Sequence, residues 1–385
     1  MKIKKMWLLP LASGAFAASA FAQSSVTLYG VIDAGITYVN NSGGKGLIAA
    51  QSGVAQGSRW GVKGGEDLGG GTKAVFQLEN GFNVFTGRLG QGGLEFGRQA
   101  YVGLSDSGWG TVTLGRQYDP IVDLVQPATM NGNWGALFSH ANDIDNSDNG
   151  FRVNNAIKYV TPNFAGLSAE IMYAMGGVAG KLAQKSTIAG GLSYTNGPLY
   201  LGAAYFYAKD PALQFADGNF VANSYAGNLG LTPGSSNGMG AFGYVGAPTS
   251  MRVIGVGGTY AIGSALLGLN YTNTRYTDAT GVSGNTAMFS NYEAWGQYSM
   301  SAATILAAGY TFTQGSTGYN SVKPKYHQVN LLADYSLSKR TDVYLMGVYQ
   351  HAAGGAMADI YDGFPAGESG TSVQVAARVG IRHKF

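Results

Sequence analysis

The closing stretch, Val373-Gln-Val-Ala-Ala-Arg-Val-Gly-Ile-Arg-His-Lys-Phe385, decides how the rest of the chain is read. Its odd positions are Val, Val, Ala, Val, Ile, His and Phe, and its even positions Gln, Ala, Arg, Gly, Arg and Lys. Successive side chains of a β-strand point to opposite faces, so this segment carries one apolar face and one polar, basic face. A strand between lipid and water looks like this, but so does a strand of a soluble sandwich. What separates the two is how often the pattern recurs and what joins the repeats.

It recurs along the whole chain. Alternation predicts sixteen strands: Ser24 to Asn40, Ser58 to Asp67, Thr72 to Val84, Phe96 to Asp106, Gly110 to Tyr118, Asn154 to Thr161, Leu167 to Met175 and Thr187 to Thr195, then Leu199 to Asp210, Met251 to Ile262, Ala265 to Tyr276, Asn291 to Ser301, Ala303 to Gln314, Lys325 to Ser338, Thr341 to Ala353 and Thr371 to Phe385. Most reach the roughly 9–11 residues that a tilted membrane strand needs. Short links (Glu66 to Gly71, Ser105 to Gly110, Pro162 to Gly166, Thr195 to Pro198, Gly263-Ser264, Ser301 to Ala303, Ser338 to Arg340) alternate with longer ones. Short turns on one rim and long loops on the other are the asymmetry of an outer-membrane barrel. Closure removes sheet edges and satisfies every backbone group in lipid. The fold class expected is therefore all-β, a 16-stranded antiparallel transmembrane β-barrel.

Composition agrees. Of 385 residues, 61 are Gly and 24 are Tyr, only 12% are charged, and beyond the first residues no apolar run of about 18 supplies a membrane helix. Lys2, Lys4 and Lys5, the apolar Met6 to Phe16, and Ala20-Phe21-Ala22 read as a signal peptide over 1–22, leaving one domain, a barrel over 23–385. Without those three lysines the 24 basic residues fall to 21, matching the 21 acidic ones. That balance offers nucleic acid no basic excess. There is no cysteine, hence no disulfide and no thiol chemistry. Tyr29, Tyr159, Tyr205, Tyr335 and Phe385, near strand ends, are expected in interfacial aromatic girdles.

One stretch breaks the alternation. Asp119 to Gly150 shows neither a period of 2 nor of 3.6, and holds five carboxylates (Asp119, Asp123, Asp143, Asp145, Asp148) with no Lys or Arg. Basic residues gather on the flanking segments: Arg59, Lys63, Arg98, Arg116, Arg152 and Lys158. Apolar Ile121, Leu124, Trp134, Leu137 and Phe138 give the loop a side to lie on. The expectation is an acidic constriction loop, about 119–153, folded inside a wall that faces it with basic groups. A second long irregular region, Pro211 to Ser250, is rich in Gly, Asn and Ser and reads as an external loop. Strand parity turns Arg59, Arg152 and Lys158 inward. It sets Arg98 with Ala100, Val102 and Leu104, and Arg116 with Val112 and Leu114, on the apolar face, unless a bulge at Gly97 or Gly115 intervenes.

The chain resembles the general porins of Gram-negative bacteria, in their betaproteobacterial branch. The resemblance is carried by Gln23 to Gly30, Ser58 to Gly64, Glu66 to Gly71, Gly115-Arg116, Gly150 to Asn155, Tyr159 to Phe164, Leu337 to Thr341 and Val379 to Phe385. It implies a homotrimer in the outer membrane, among its lipid and lipopolysaccharide, and a third loop bent inward as an eyelet. It implies that Arg59, Arg98, Arg116 and Arg152 face the loop carboxylates, and that Phe385 is read by the barrel assembly machinery. The function expected is passive diffusion of small hydrophilic solutes and ions, with a weak to moderate anion preference.

Other motifs are weaker. Asp143 to Gly150 resembles the start of a calcium loop but has Asp148 where that loop needs Gly, and Asn154 where it needs Glu. Gly234-Ser-Ser-Asn-Gly238 has the spacing of a nucleophile elbow without its strand and helix. His140, His327, His351 and His383 lack metal-ligand spacing and are expected at solvated or rim positions. Gly64-Gly65 and Gly69 to Gly71 are turn glycines, since no helix follows to cradle a phosphate. No cofactor, metal or enzymatic activity is expected; a barrel lipase would need a Ser–His pair on the outer wall, and a lectin-like sandwich would be soluble.

Overall fold

A computed structural model describes residues 25–218, 238–360 and 367–385. The predicted signal peptide and most of the Gly234 to Gly238 motif lie outside them. Among the described residues, seventeen strands form one antiparallel sheet: β1 (Ser25–Ser42), β2 (Lys45–Ser52), β3 (Arg59–Gly69), β4 (Thr72–Gly81), β5 (Gln99–Asp106), β6 (Gly110–Gln117), β7 (Val153–Val160), β8 (Leu167–Ala174), β9 (Thr187–Asn196), β10 (Leu199–Lys209), β11 (Ser250–Ile262), β12 (Ala265–Thr277), β13 (Thr286–Ser299), β14 (Thr304–Thr317), β15 (Lys325–Ser336), β16 (Thr341–Ala353) and β17 (Val373–Lys384). Sequence neighbours pair from β3 to β17, β2 and β3 both pair with β1, and β17 closes on β1 from Val31↔Lys384 to Val39↔Ala376. At the seam, Gly30 and Phe385 exchange both backbone bonds at 3.0 Å. A Cβ on Gly30 would fall 2.3 Å from the Phe385 ring, so this glycine makes room for the terminal aromatic.

The barrel has sixteen staves, because β2 and β3 are one stave in two pieces. β3 pairs with Ser25 to Val31 of β1, and β2 with Ala34 to Ser42 of the same strand. Lys45 to Ser52 falls between the first two predicted strands, where no strand was expected; its alternation is weak, and glycines flank it on both sides. Between the pieces, residues 53–58 turn off the sheet into the lumen. Asp33 holds them there: its carboxylate accepts from the Val54 N–H at 3.0 Å, and its carbonyl from the Gly53 N–H at 2.9 Å.

Alternation sorts the faces as expected. On β17, Val379 is 58% exposed while its neighbour Arg378 is 1% exposed inside the wall. Leu269, Leu345 and Ile171 are likewise exposed outward. Such a surface is stable only in an apolar solvent. Tyr205, Tyr335 and Phe385 are exposed, as girdle residues should be. Tyr29 is not a girdle residue: it faces the lumen, where its hydroxyl donates to Glu79 Oε2 at 2.8 Å.

Candidate functional site: the lumen and its constriction

The loop after β6 runs across the lumen as a chain of short helical turns, from Ile121–Val125 through Met130–Trp134 to Ala136–Phe138. Ile121, Val125, Met130, Leu137 and Phe138 are all buried, as their apolar character requires. The wall beneath is shaped to receive them. A Cβ on Gly202 of β10 would fall 1.8 Å from the Leu124 carbonyl oxygen, and one on Gly257 of β11 2.7 Å from the Ala128 Cβ. Only glycine permits backbone so close.

Hydrogen bonds pin the loop along the same wall. Tyr200 donates to the Leu124 carbonyl at 2.7 Å, Trp295 Nε1 to Ala128 at 2.8 Å, and Tyr276 to Ile144 at 2.7 Å. Trp134 Nε1 donates to Gln297 Oε1 at 2.8 Å. At the far side the Ala136 N–H reaches the Val54 carbonyl at 2.8 Å, on the segment that interrupts stave two. The loop's centre is fixed by His140, whose Nδ1 lies 2.6 Å from Asp145 Oδ2 and whose Nε2 lies 2.9 Å from Glu293 Oε2. The same Glu293 accepts from the Met130 N–H at 2.6 Å and from Asn270 at 3.0 Å. Burial alone would make His140 less basic, but its two carboxylate partners push it up to about 10. His140 was expected to be solvated; it is fully buried.

The region after β10 was read as external, yet its described ends also fold inward. Phe215 stacks on Phe151 with centroids 4.0 Å apart, Tyr244 and Val245 are fully buried, and the Ala241 N–H donates to Asn142 at 2.7 Å. Asn142 in turn donates to Asp359 at 3.0 Å, on the loop before β17. Three long loops thus pack together over the β9 to β16 half of the barrel.

The opposite half stays open, as a cavity of about 880 Å³. Among its lining residues are Arg59, Arg98, Arg152, Arg382 and Lys384 on the wall side, with Asp143 and Asp148 on the loop. At its centre is Glu79 of β4. Arg98 Nε donates to Glu79 Oε1 at 2.7 Å, Tyr118 donates to the same oxygen at 2.8 Å, and Arg59 Nε lies 3.6 Å from Oε2. Arg98 Nη2 donates to the Tyr118 hydroxyl at 2.7 Å, and the guanidiniums of Arg98 and Arg152 each lie 5.7 Å from that ring. Arg98 sits on the bend before β5, so strand parity does not govern it and its side chain turns into the lumen. Arg152 is buried with its Nε unpartnered.

The remaining basic residues lie elsewhere. β6 is bulged, with Gly115 at φ +141 and a register shift between Gly115 and Gln117. The bulge turns Arg116 off the outward face, where its parity with Leu114 would set it; it is buried outside the cavity lining, bonded to the Gly97 carbonyl at 2.7 Å, Asn154 at 2.6 Å and Asp217 at 2.7 Å. Lys63 lies 5.3 Å from the Tyr29 ring, below the cavity, and Lys158 pairs with Asp123.

The carboxylates divide too. Asp119 is fully buried, accepting from the Ile121 N–H at 2.8 Å and Asn146 at 2.6 Å, and so closes the loop's base. Burial pushes it up to about 6. Asp145 belongs to the His140 anchor; burial raises it, but His140 and the Thr272 hydroxyl hold it well below the usual range. Asp143 accepts from the N–H groups of Asp148 and Gly150 at 2.7 and 2.8 Å. Asp148 is pushed up to about 7 by burial, against the pull of Asn131 and Arg152. Sequence reasoning missed Glu79, an ordinary polar residue on an alternating strand; the two arginines it joins are far from it in sequence.

Residues 10–355 match the family model described as Gram-negative porin. An outer membrane porin protein of Bordetella pertussis is 30% identical to the chain over all of both sequences. Among solved structures, an anion-selective porin from Comamonas acidovorans is 24% identical, with a TM-score of 0.70 over 94% of this chain and all of that one. The trimer form of OmpT, an outer membrane protein of Vibrio cholerae, is 15% identical, with a TM-score of 0.67 over 94% of this chain and 99% of that one. Barrel, inward loop and relatives agree: the chain belongs to the Gram-negative porins and is an outer-membrane protein.

Proposed function

We propose that the protein is a passive diffusion channel for small hydrophilic solutes and ions, with a preference for anions, and that its constriction is the cavity between the 119–150 loop and the β3 to β6 wall. The observation that carries this is the charge on the lining. Five basic side chains (Arg59, Arg98, Arg152, Arg382, Lys384) face three carboxylates (Glu79, Asp143, Asp148). Asp143 is turned to its own loop's amides, and Asp148 at about 7 carries a partial charge at neutral pH. A ring of fixed charge of one sign sets ion preference in a narrow, water-filled passage. The field from arginines to loop carboxylates aligns water and polar solutes and disfavours apolar ones. The anion-selective Comamonas relative supports the sign.

The working form is a homotrimer in this reading. Phe85, Leu89 and Leu94, on the loop between β4 and β5, are large apolar side chains left exposed, which a neighbouring copy would cover. The Vibrio relative's trimer supports it. Recording in a planar bilayer under a salt gradient tests the function: stepwise channels with a reversal potential of anion sign are expected. No stepwise conductance, or a cation-signed potential, would refute it.

A further inference from the structure

The lipid-facing surface carries a polar island. Arg252 of β11 and Arg275 of β12 are directly paired in register, and both project outward, since their neighbours Met251, Val253 and Tyr276 are buried inside. Like charges facing each other across two strands destabilise a sheet unless something neutralises them. No carboxylate does: among the described residues neither arginine has an acidic partner, and residues 219–237 contain no Asp or Glu. Asp278, nearby in sequence, is engaged by the Thr249 hydroxyl at 2.6 Å and the Gly284 N–H at 2.8 Å. Arg252 uses Nη2 on Asn273 at 3.3 Å, and its buried Nε has no partner. Asn273 donates to Ser290 at 3.0 Å, extending the polar patch to a third strand. On the other side, Lys209 of β10 pairs with Ser250, two residues along from Arg252 on the same face.

Height on the barrel identifies the ligand. Ile262 ends β11 at the short-turn rim, and Arg252 stands ten residues above it. At about 3.3 Å per residue and a tilt of about 35–45°, that places the arginines about 25 Å up, at the top of the apolar band. The aromatic row agrees. Tyr271, Tyr292, Phe312, His327 and His351 are successive register partners from β12 to β16, with ring centroids 5.0, 6.2, 4.8 and 6.4 Å apart. Arg275 lies four residues beyond Tyr271, which sets it above the aromatic girdle at the headgroup level.

We propose that Arg252 and Arg275, flanked by Lys209, Asn273 and Ser290, seat a phosphate of an outer-leaflet glycolipid. The guanidiniums take the phosphate oxygens, Asn273 and Ser290 take sugar hydroxyls, and the acyl chains lie on Ile254, Val256 and Leu269 below. The occupied phosphate removes the like-charge conflict in the sheet.

Native mass spectrometry of the assembled protein, titrated with bis-phosphorylated lipid A, tests this. Wild type should bind it. Arg252→Gln with Arg275→Gln should weaken binding roughly tenfold or more, Arg252→Lys with Arg275→Lys should keep most of it, and dephosphorylated lipid A should bind wild type and the glutamine variant equally weakly. Should the double glutamine variant fail to assemble, Arg275→Gln alone, whose side chain makes no hydrogen bond among the described residues, should weaken binding roughly threefold to fivefold. Equal binding by wild type and variants, or equal binding of phosphorylated and dephosphorylated lipid, overturns the site. Displacement of the lipid by inorganic phosphate alone would make it a small-anion site and overturn the lipid assignment.

Discussion

The two halves of the lumen follow one strand rule and end in opposite states. From β9 to β16 the inward face offers the 119–150 loop glycines to lie against and Tyr200, Tyr276, Glu293 and Trp295 to bond, and the loop lies flush on it. From β3 to β6 the inward positions are Arg59, Glu79, Gln77 and Tyr101, with Arg98 and Tyr118 at the strand ends, and no loop covers them. Glycines beneath the loop let its backbone approach, and the bonding side chains beside them hold it; the β3 to β6 wall presents charged groups that pair with one another instead. Which half of the lumen the loop fills is thus decided by the wall as much as by the loop.

The largest effect expected comes from removing the filled half. Replacing Gln126 to Asn142 by a short Gly-Ser link deletes no stave, so the barrel should assemble. Single-channel conductance should rise roughly twofold or more, with a higher solute size limit. Shortening the exposed Val178 to Leu182 connection should leave conductance alone. Equal conductance for both variants would mean the loop does not bound the passage.

Charge reversal on the open half should come next. Arg59→Glu with Arg152→Glu should move the reversal potential clearly toward cations, whereas Arg116→Glu should move it little, since Arg116 lies off the cavity. Glu79→Gln should shift it the other way, by freeing Arg59 and Arg98. An Arg116→Glu shift as large as the double variant's would put the selective step somewhere other than this wall.

A subtler break is a side chain where the loop needs none. Gly202→Val pushes on the Leu124 carbonyl and should cost about 1–3 kcal/mol, read as a lower melting midpoint, with noisier open-channel current. Gly347, which has open space around it, tolerates the same change. Similar midpoints for both valine variants would argue against a tight seat.

The smallest effect is alkaline. His140 is raised from an unfolded value of about 6.5 to about 10, so its stabilisation is complete below about 6.5 and fades as pH climbs to about 10. Channel noise should therefore grow between pH 8 and about 10 in wild type, and stay flat in His140→Gln. The same rise in the variant would place the titrating group elsewhere.

Much of this architecture was legible in the sequence because period-2 alternation is imposed on every stave by lipid on one side and water on the other. The loop that folds into the lumen stood out for the complementary reason, as the long stretch without a period. Within it, nothing distinguishes Asp143 and Asp148 from Asp119 and Asp145, since an aperiodic chain gives no parity from which to read direction. Arg98 and Arg116 show the limit at strand ends, where a bend turned one side chain inward and the bulge after Gly115 took the other off the lipid-facing side. β2 was lost because a strand flanked by glycines reads as part of the loop around it.

The seam has a consequence for how the chain comes to be folded. Gly30 and Phe385 lie at nearly opposite ends of the polypeptide, and each supplies the other's backbone partner. Until β17 has been made, β1 has no neighbour on one side, and its unpaired edge is a template for pairing with the wrong chain. Loop-closure entropy for so distant a pair is met only after the intervening staves are in register, so closure is the slow, late event. Without β17 that edge stays open, so β17, made after the other described strands, completes the barrel.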